Sequence, residues 1–250
     1  MSGNPADQKD QSQRLTNVNR RQDYPNSRPR DAATLIIVDE RGPEPRVLMG
    51  RRSDRHTFLP GKFVFPGGRV DCADLRLAAP VDFAPETTAK LLVDMKGGAD
   101  PNRARALGLT ALRETYEETG LMVGEAAKQA PRSRSQSWRE FLAHGVSPDL
   151  TSMRFIARAI TPPRRPRRYD TRFFCVPYEA VAKSIARDEV ELLDLSWIVI
   201  GETGAHDLPT ITQVVLEELA GHLKRGGLPD QSIPVPYYFM RNGRFQRTLI

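Results

Sequence analysis

The chain has 250 residues, a net charge of +6 and a hydrophobic fraction of 39%, which suits one elaborated domain or at most two, with a polar tail diluting the apolar share. No apolar run approaches the roughly 18 residues of a membrane helix, and the N-terminus has no apolar signal-peptide core, so the expectation is a cytosolic protein. The positive balance suits an anionic partner, and small phosphates satisfy it as well as nucleic acid does.

Residues 1–30 are polar with scattered Arg and Pro, which predicts a disordered tail or a loosely docked arm before a single domain over 31–250. "DAATLIIVDE" reads as a first strand, "RGPEP" as a turn and "RVLMGRR" as its partner strand. "KFVFPGGRVD" predicts a short strand running into a tight loop. The mixed stretch after it predicts a helix around "ETTAKLLVDM". Pro101 after Asp100 predicts a helix start, and the helix should run to Gly120. "SWREFLAHG" reads as helical. "MRFIARAIT" and "RYDTRFFCVP" read as paired strands around the stiff basic turn "PPRRPRR". "ELLDLSWIVI" predicts a strand, "TITQVVLEELAGHLKR" an amphipathic helix, and "SIPVPYYFM", with its prolines, a closing edge strand. Strands and helices intersperse without regular βαβ alternation, so the expected class is α+β, a mixed sheet with helices on its faces. Cys72 and Cys175 have no metal or redox spacing and read as two buried thiols. Phe173, Phe174 and Trp197 sit at strand spacing and read as core, and His56 as structural.

"ALRETYEETG", residues 111–120, is the informative stretch. Glu114 lies one helical turn from both Glu117 and Glu118, and each such like-charge pair costs about 0.2–0.5 kcal/mol. Gly120 marks the helix end, where the dipole also disfavours acids. Local physics opposes the arrangement twice, which predicts a positive charge in front of it.

"PGGRVD" followed by "RETYEETG" resembles the Nudix box, G-x5-E-x7-R-E-U-x-E-E-x-G-U. Gly68 takes the first glycine, Asp74 the first glutamate position, and Arg113, Glu114, Glu117, Glu118, Gly120 and Leu121 fill the second half. Three departures stand out: aspartate at 74, Thr115 where an aliphatic residue is usual, and 38 residues between Asp74 and Arg113 instead of seven. The resemblance implies a Nudix fold, an α/β/α sandwich, with an insertion at about 75–100 that leaves the two halves of the box adjacent. It implies a hydrolase of phosphorus-containing anhydrides using Mg²⁺, with Mn²⁺ as a substitute. Glu114, Glu117, Glu118 and the Gly67 carbonyl are the implied ligands. Carboxylates at this spacing offer hard oxygens from one rigid element, which suits Mg²⁺. The resemblance gives Arg113 the task of pairing with a box carboxylate. It leaves the general base open among Glu118, Glu117, Glu191 and Glu189.

"FLPGKFVFPGGRVDCAD", the insertion inside the box and "TPPRRPRRYDTRFF" together resemble the coenzyme A and acyl-coenzyme A diphosphatases within that family. Arg51, Arg52 and Arg55 are candidates to grip phosphates, since guanidinium groups bind phosphate oxygens bidentately. Gly68 would admit substrate, and Arg168, with Arg164, Arg165 and Arg167, would meet a 3′-phosphate or form a solvated turn. The expected partner is a small-molecule diphosphate, with a homodimer as a candidate assembly and no membrane. Aromatic and basic residues do not interleave as on RNA platforms. ADP-ribose, NADH or dinucleoside polyphosphate hydrolysis, and a non-catalytic sensor, are the competing readings. A sensor would be expected to have lost some of Glu114, Glu117 and Glu118, and all three are present.

Overall fold

The structure, a computed structural model, describes residues 5–53, 59–78, 81–127, 132–186, 192–228 and 230–250. After helix α1 (Pro5–Asn17) come strands β1 (Arg30–Asp39), β2 (Arg46–Arg52), β3 (Phe63–Val64) and β4 (Gly67–Arg69), then helices α2 (Cys72–Arg76), α3 (Pro85–Leu92) and α4 (Pro101–Thr119). Strands β5 (Leu121–Val123) and β6 (Glu125–Ala126), helix α5 (Gln136–Ala143) and strand β7 (Val146–Ser147) lead to the hairpin of β8 (Arg154–Ile160) and β9 (Tyr169–Pro177). The chain continues through β10 (Val181–Ser184), β11 (Leu192–Val199), α6 (Thr210–Leu223), β12 (Pro236–Arg241) and β13 (Arg244–Leu249).

One mixed sheet runs in the order β11-β2-β1-β9-β8-β12-β13, with β3 beside β2 and β4 beside β1, while β10 pairs with β5 and β6 with β7 in two small sheets of their own. β1 pairs in parallel with β9, and β8 in parallel with β12. β1 is central and apolar on both faces, as a strand covered on both sides must be. Alternation sends Ala33, Leu35 and Ile37 into a core shared with α4 and α5, while Ile36 and Val38 enter a second core with α6. The result is the helix–sheet–helix arrangement expected from the sequence.

Helix α4 starts where Asp100 accepts the Asn102 amide at 2.9 Å, with Pro101 in the first turn. It ends at Gly120, whose φ of 74° lies in the left-handed region that glycine adopts without steric cost. The insertion packs onto this helix: Leu77, Phe83, Leu91 and Met95 join its core. Phe83 stacks on Phe174 at 5.4 Å, and a Cβ at Gly108 would lie 2.4 Å from the Phe83 ring. The described residues of 75–100 therefore thicken the α4 layer.

Three sequence expectations need correction. Residues 5–17, inside the stretch read as a disordered tail or a loosely docked arm, are no disordered tail: they form a helix whose Leu15 is buried in the second core, while Arg14 bridges Glu217 at 2.8 Å. A single buried leucine in a polar helix left no periodic signal. "SIPVPYYFM" is no edge: Pro236 opens β12, so the rest of the strand keeps its amides and pairs with both β8 and β13. Cys72 is exposed in the first turn of α2; only Cys175 is buried.

Candidate active site

Asp74 is the centre around which the site assembles. Its backbone belongs to α2, where Asp71 and Asp74 cap the helix reciprocally. Its side chain is buried and receives the Arg113 fork, Nε to Oδ1 and Nη2 to Oδ2, both at 2.9 Å. Trp138 Nε1 donates to Oδ1 at 2.8 Å, the Asp71 amide to Oδ2 at 3.0 Å, and the Thr110 hydroxyl lies 2.8 Å from Oδ2. Four N–H donors, with the Thr110 hydroxyl shared between Oδ2 and the Ala106 carbonyl, thus cover the four or so lone-pair sites of one carboxylate. A cation would have to displace them, so Asp74 is occupied as an acceptor.

Arg113 carries this order to the acids. Its Nη1 donates to Glu114 Oε1 and Glu117 Oε2, each at 2.9 Å, and Nη2 reaches the Arg69 carbonyl at 3.3 Å. One guanidinium therefore ties α2, β4 and α4 together, which a point-charge ammonium could not do in this geometry. Burial acts to lower its pKa, and the hydrogen bonds and charges of Asp74, Glu114 and Glu117 outweigh that, so it is held above its ordinary value. Burial pushes the other way on Glu114: despite Arg113, desolvation with the charges of Glu117 and Asp74 raises its carboxyl to about 7.

The two halves of the box meet directly. The Gly67 amide donates to Glu118 Oε2 at 2.9 Å, although 51 positions separate them. Gly67 lies against β1 so closely that a Cβ there would sit 2.5 Å from the Ala33 carbonyl oxygen. Gly68 is the point of closest approach to the acids: a Cβ would lie 2.3 Å from the Glu114 carboxyl carbon. The glycine pair lets backbone and carboxylates share one small space.

Among the described residues no three acidic, His or Cys side chains converge into a metal cluster. Glu114 and Glu117 turn onto Arg113, and Glu118 onto the Gly67 amide. The donor chemistry nevertheless fits a hard divalent cation: Glu114, Glu117 and Glu118 offer carboxylate oxygens from one helix, beside the Gly67 backbone.

The remaining sequence candidates scatter. Arg51, on β2, pairs with Asp194 at 2.8 Å. Arg52 ends that strand, opposite Leu192 of β11. Arg168 donates to the Thr161 carbonyl at 3.1 Å and to Asn26 Oδ1 at 2.9 Å, so much of its fork braces the β8–β9 turn. Arg55, His56, Glu189 and Glu191 lie outside the described residues. Phe173 and Phe174 are core, as expected, and Trp197 packs edge-on against Tyr178. Thr110 and Trp138 as Asp74 partners went unread, because neither carries a signature at a distance of 36 or 64 positions.

A NUDIX hydrolase from Alicyclobacillus acidocaldarius superposes with a TM-score of 0.60 at 28% identity, over 81% of this chain and 97% of its own. The NUDIX domain of Shewanella oneidensis NrtR, solved with ADP ribose, aligns at 12% identity and TM-score 0.42, over 84% of this chain and 97% of its own. An Ap4A hydrolase from C. elegans aligns at 12% identity and TM-score 0.40, over 78% and 99%. The last two are too distant to bear on substrate. No protein-family model matches the chain.

Proposed function

Given that this chain belongs to the Nudix hydrolase superfamily and is a hydrolase acting on pyrophosphate bonds, we propose that it is a Mg²⁺-dependent diphosphatase of a nucleoside diphosphate linked to a second group, with coenzyme A or an acyl-coenzyme A as substrate. The observation that carries this reading is the Gly67–Glu118 hydrogen bond, which closes the box across its insertion. Glu114, Glu117 and Glu118, with the Gly67 carbonyl, would hold the cation. When bound, it would neutralise the diphosphate and acidify a water.

The residues of the chain do the rest. Arg113 touches no substrate in this scheme; it positions Glu114 and Glu117 and is itself positioned by Asp74. Glu118 and the more exposed Glu117 would orient the attacking water and accept its proton, with Glu191 as the rival base. Gly68 leaves room for the phosphate. Arg51, Arg52 and Arg55 would grip the diphosphate, Arg51 after exchanging its exposed Asp194 partner. Water oxygen bonds to phosphorus, the bridging P–O bond breaks, and coenzyme A would yield adenosine 3′,5′-bisphosphate and a phosphopantetheine.

The test is turnover, with wild type and Glu118→Gln, of coenzyme A, acetyl-coenzyme A, ADP-ribose, NADH and a dinucleoside polyphosphate in Mg²⁺. Glu118→Gln should lower turnover at least about a hundredfold, the lower end for a positioned acid–base group. A hundredfold preference for ADP-ribose or a dinucleoside polyphosphate would overturn the coenzyme A assignment. Near-normal turnover by Glu118→Gln would overturn the site.

A further inference from the structure

A cleft of about 800 Å³ opens where the chain entering β1 meets the β8–β9 turn. Its wall carries five arginines, Arg28, Arg30, Arg69, Arg167 and Arg168, and no Asp or Glu. Elsewhere in this protein the buried arginines are neutralised locally: Arg113 by Asp74, Arg158 by Asp170 and Arg172 by Asp31. In the cleft, Arg28, Arg30, Arg69 and Arg167 have no carboxylate partner among the described residues. Five like charges around one concavity repel one another and focus a positive field into it.

Tertiary pairing builds the cleft from three distant segments. The β1–β9 register sets Arg30 opposite Tyr169, and the β1–β4 register sets Ala32 opposite Arg69. Residues 30 and 32 share a face of β1, the one that carries Ile36 and Val38 into the second core. Gly68, paired with Ala33, faces Glu114 on the opposite side. The cleft thus adjoins the box loop through Arg69 yet lies on the other face of the sheet from the carboxylates. Its rim is braced: Arg168 donates to Thr161 and Asn26, Arg165 donates to the Arg21 carbonyl at 3.0 Å, and the Arg30 amide donates to the Arg168 carbonyl at 2.9 Å.

We propose that this cleft is a second phosphate-binding site, taking a phosphomonoester or diphosphate group of a nucleotide-sized ligand. The volume lies within the roughly 300–1,000 Å³ of small-molecule pockets. Guanidinium forks match phosphate oxygens bidentately, and a dianion offsets more of the clustered charge than a carboxylate would. The phosphate has two chemical sources, the non-scissile end of the hydrolase's own substrate or a separate ligand. Binding itself does not depend on the coenzyme A assignment.

The test is calorimetric titration of inorganic pyrophosphate in EDTA, with wild type, Arg28→Ala/Arg167→Ala and Glu118→Gln. Arg28 and Arg167 are exposed, so the double variant should melt as wild type does. Wild type and Glu118→Gln should bind alike. The double variant should bind at least about tenfold more weakly, the low end for removing a hydrogen bond to a charged group, and added salt should weaken wild-type binding. No saturable binding by wild type, or wild-type affinity in the double variant, overturns the proposal. Coenzyme A and its 3′-dephospho form then separate the sources. A KM raised in the double variant only for the 3′-phosphorylated compound assigns the cleft to substrate. Unchanged KM for both, with pyrophosphate binding lost, assigns it to a separate ligand.

Discussion

Asp74→Asn should weaken the fold without removing a metal ligand. The substitution keeps the shape but removes the charge opposite a buried guanidinium and turns two donors toward donors. If the amide oxygen stays with Arg113 Nε and Trp138 Nε1, the new NH₂ faces Arg113 Nη2, the Asp71 amide and the Thr110 hydroxyl. Breaking one partner of a buried ion pair costs about 3–5 kcal/mol. Arg113 retains Glu114 and Glu117 through Nη1, which places the loss near the lower end, about 3 kcal/mol. For a chain of this length that lowers the melting temperature by about 6–12 °C. The assay is thermal melting in EDTA and in Mg²⁺. The metal-free melt should drop by that amount, while the increment gained on adding Mg²⁺ should match wild type, since a ligand stabilises by its affinity for the folded state. A metal-free melt within about 1 °C of wild type, or an abolished Mg²⁺ increment, would refute the role drawn for Asp74.

Gly68→Ala should leave the fold intact and lower turnover, because its Cβ collides with the Glu114 carboxyl, the movable end of a side chain; circular dichroism and kcat check the two halves of that statement. Thr115→Val should be neutral or stabilising by up to about 1 kcal/mol in denaturant unfolding, because the buried Thr115 hydroxyl only donates to the Ala111 carbonyl of its own helix. Glu114 makes metal-free stability depend on pH. Its folded pKa of about 7 exceeds its unfolded value of 4.5, so its contribution is fully present below about pH 4.5 and is lost as pH rises through 7. The shift of about 2.5 units corresponds to a loss on the order of 3 kcal/mol at most. In EDTA, wild type should lose stability across that window relative to Glu114→Gln, and parallel pH profiles would remove the assigned environment.

The sequence by itself determined the periodic and punctuated parts of this protein. β1, β2, the β8–β9 hairpin, α4 and α6 were legible because alternation, proline at a helix start and glycine at a helix end act over a few residues. The glutamates of α4 were legible for a related reason: their spacing is locally unfavourable and therefore informative. Tertiary structure alone decided what lay beyond that range. It made Asp74 an acceptor for Arg113, Thr110 and Trp138, placed Phe83, Leu91 and Met95 of the insertion into the core, and folded residues 5–17 onto α6 and β13. It also gathered Arg28, Arg69 and Arg167 into one cleft from segments that are remote in sequence. Sheet register and burial produce these juxtapositions, and both depend on which distant strands pair, which local spacing does not encode.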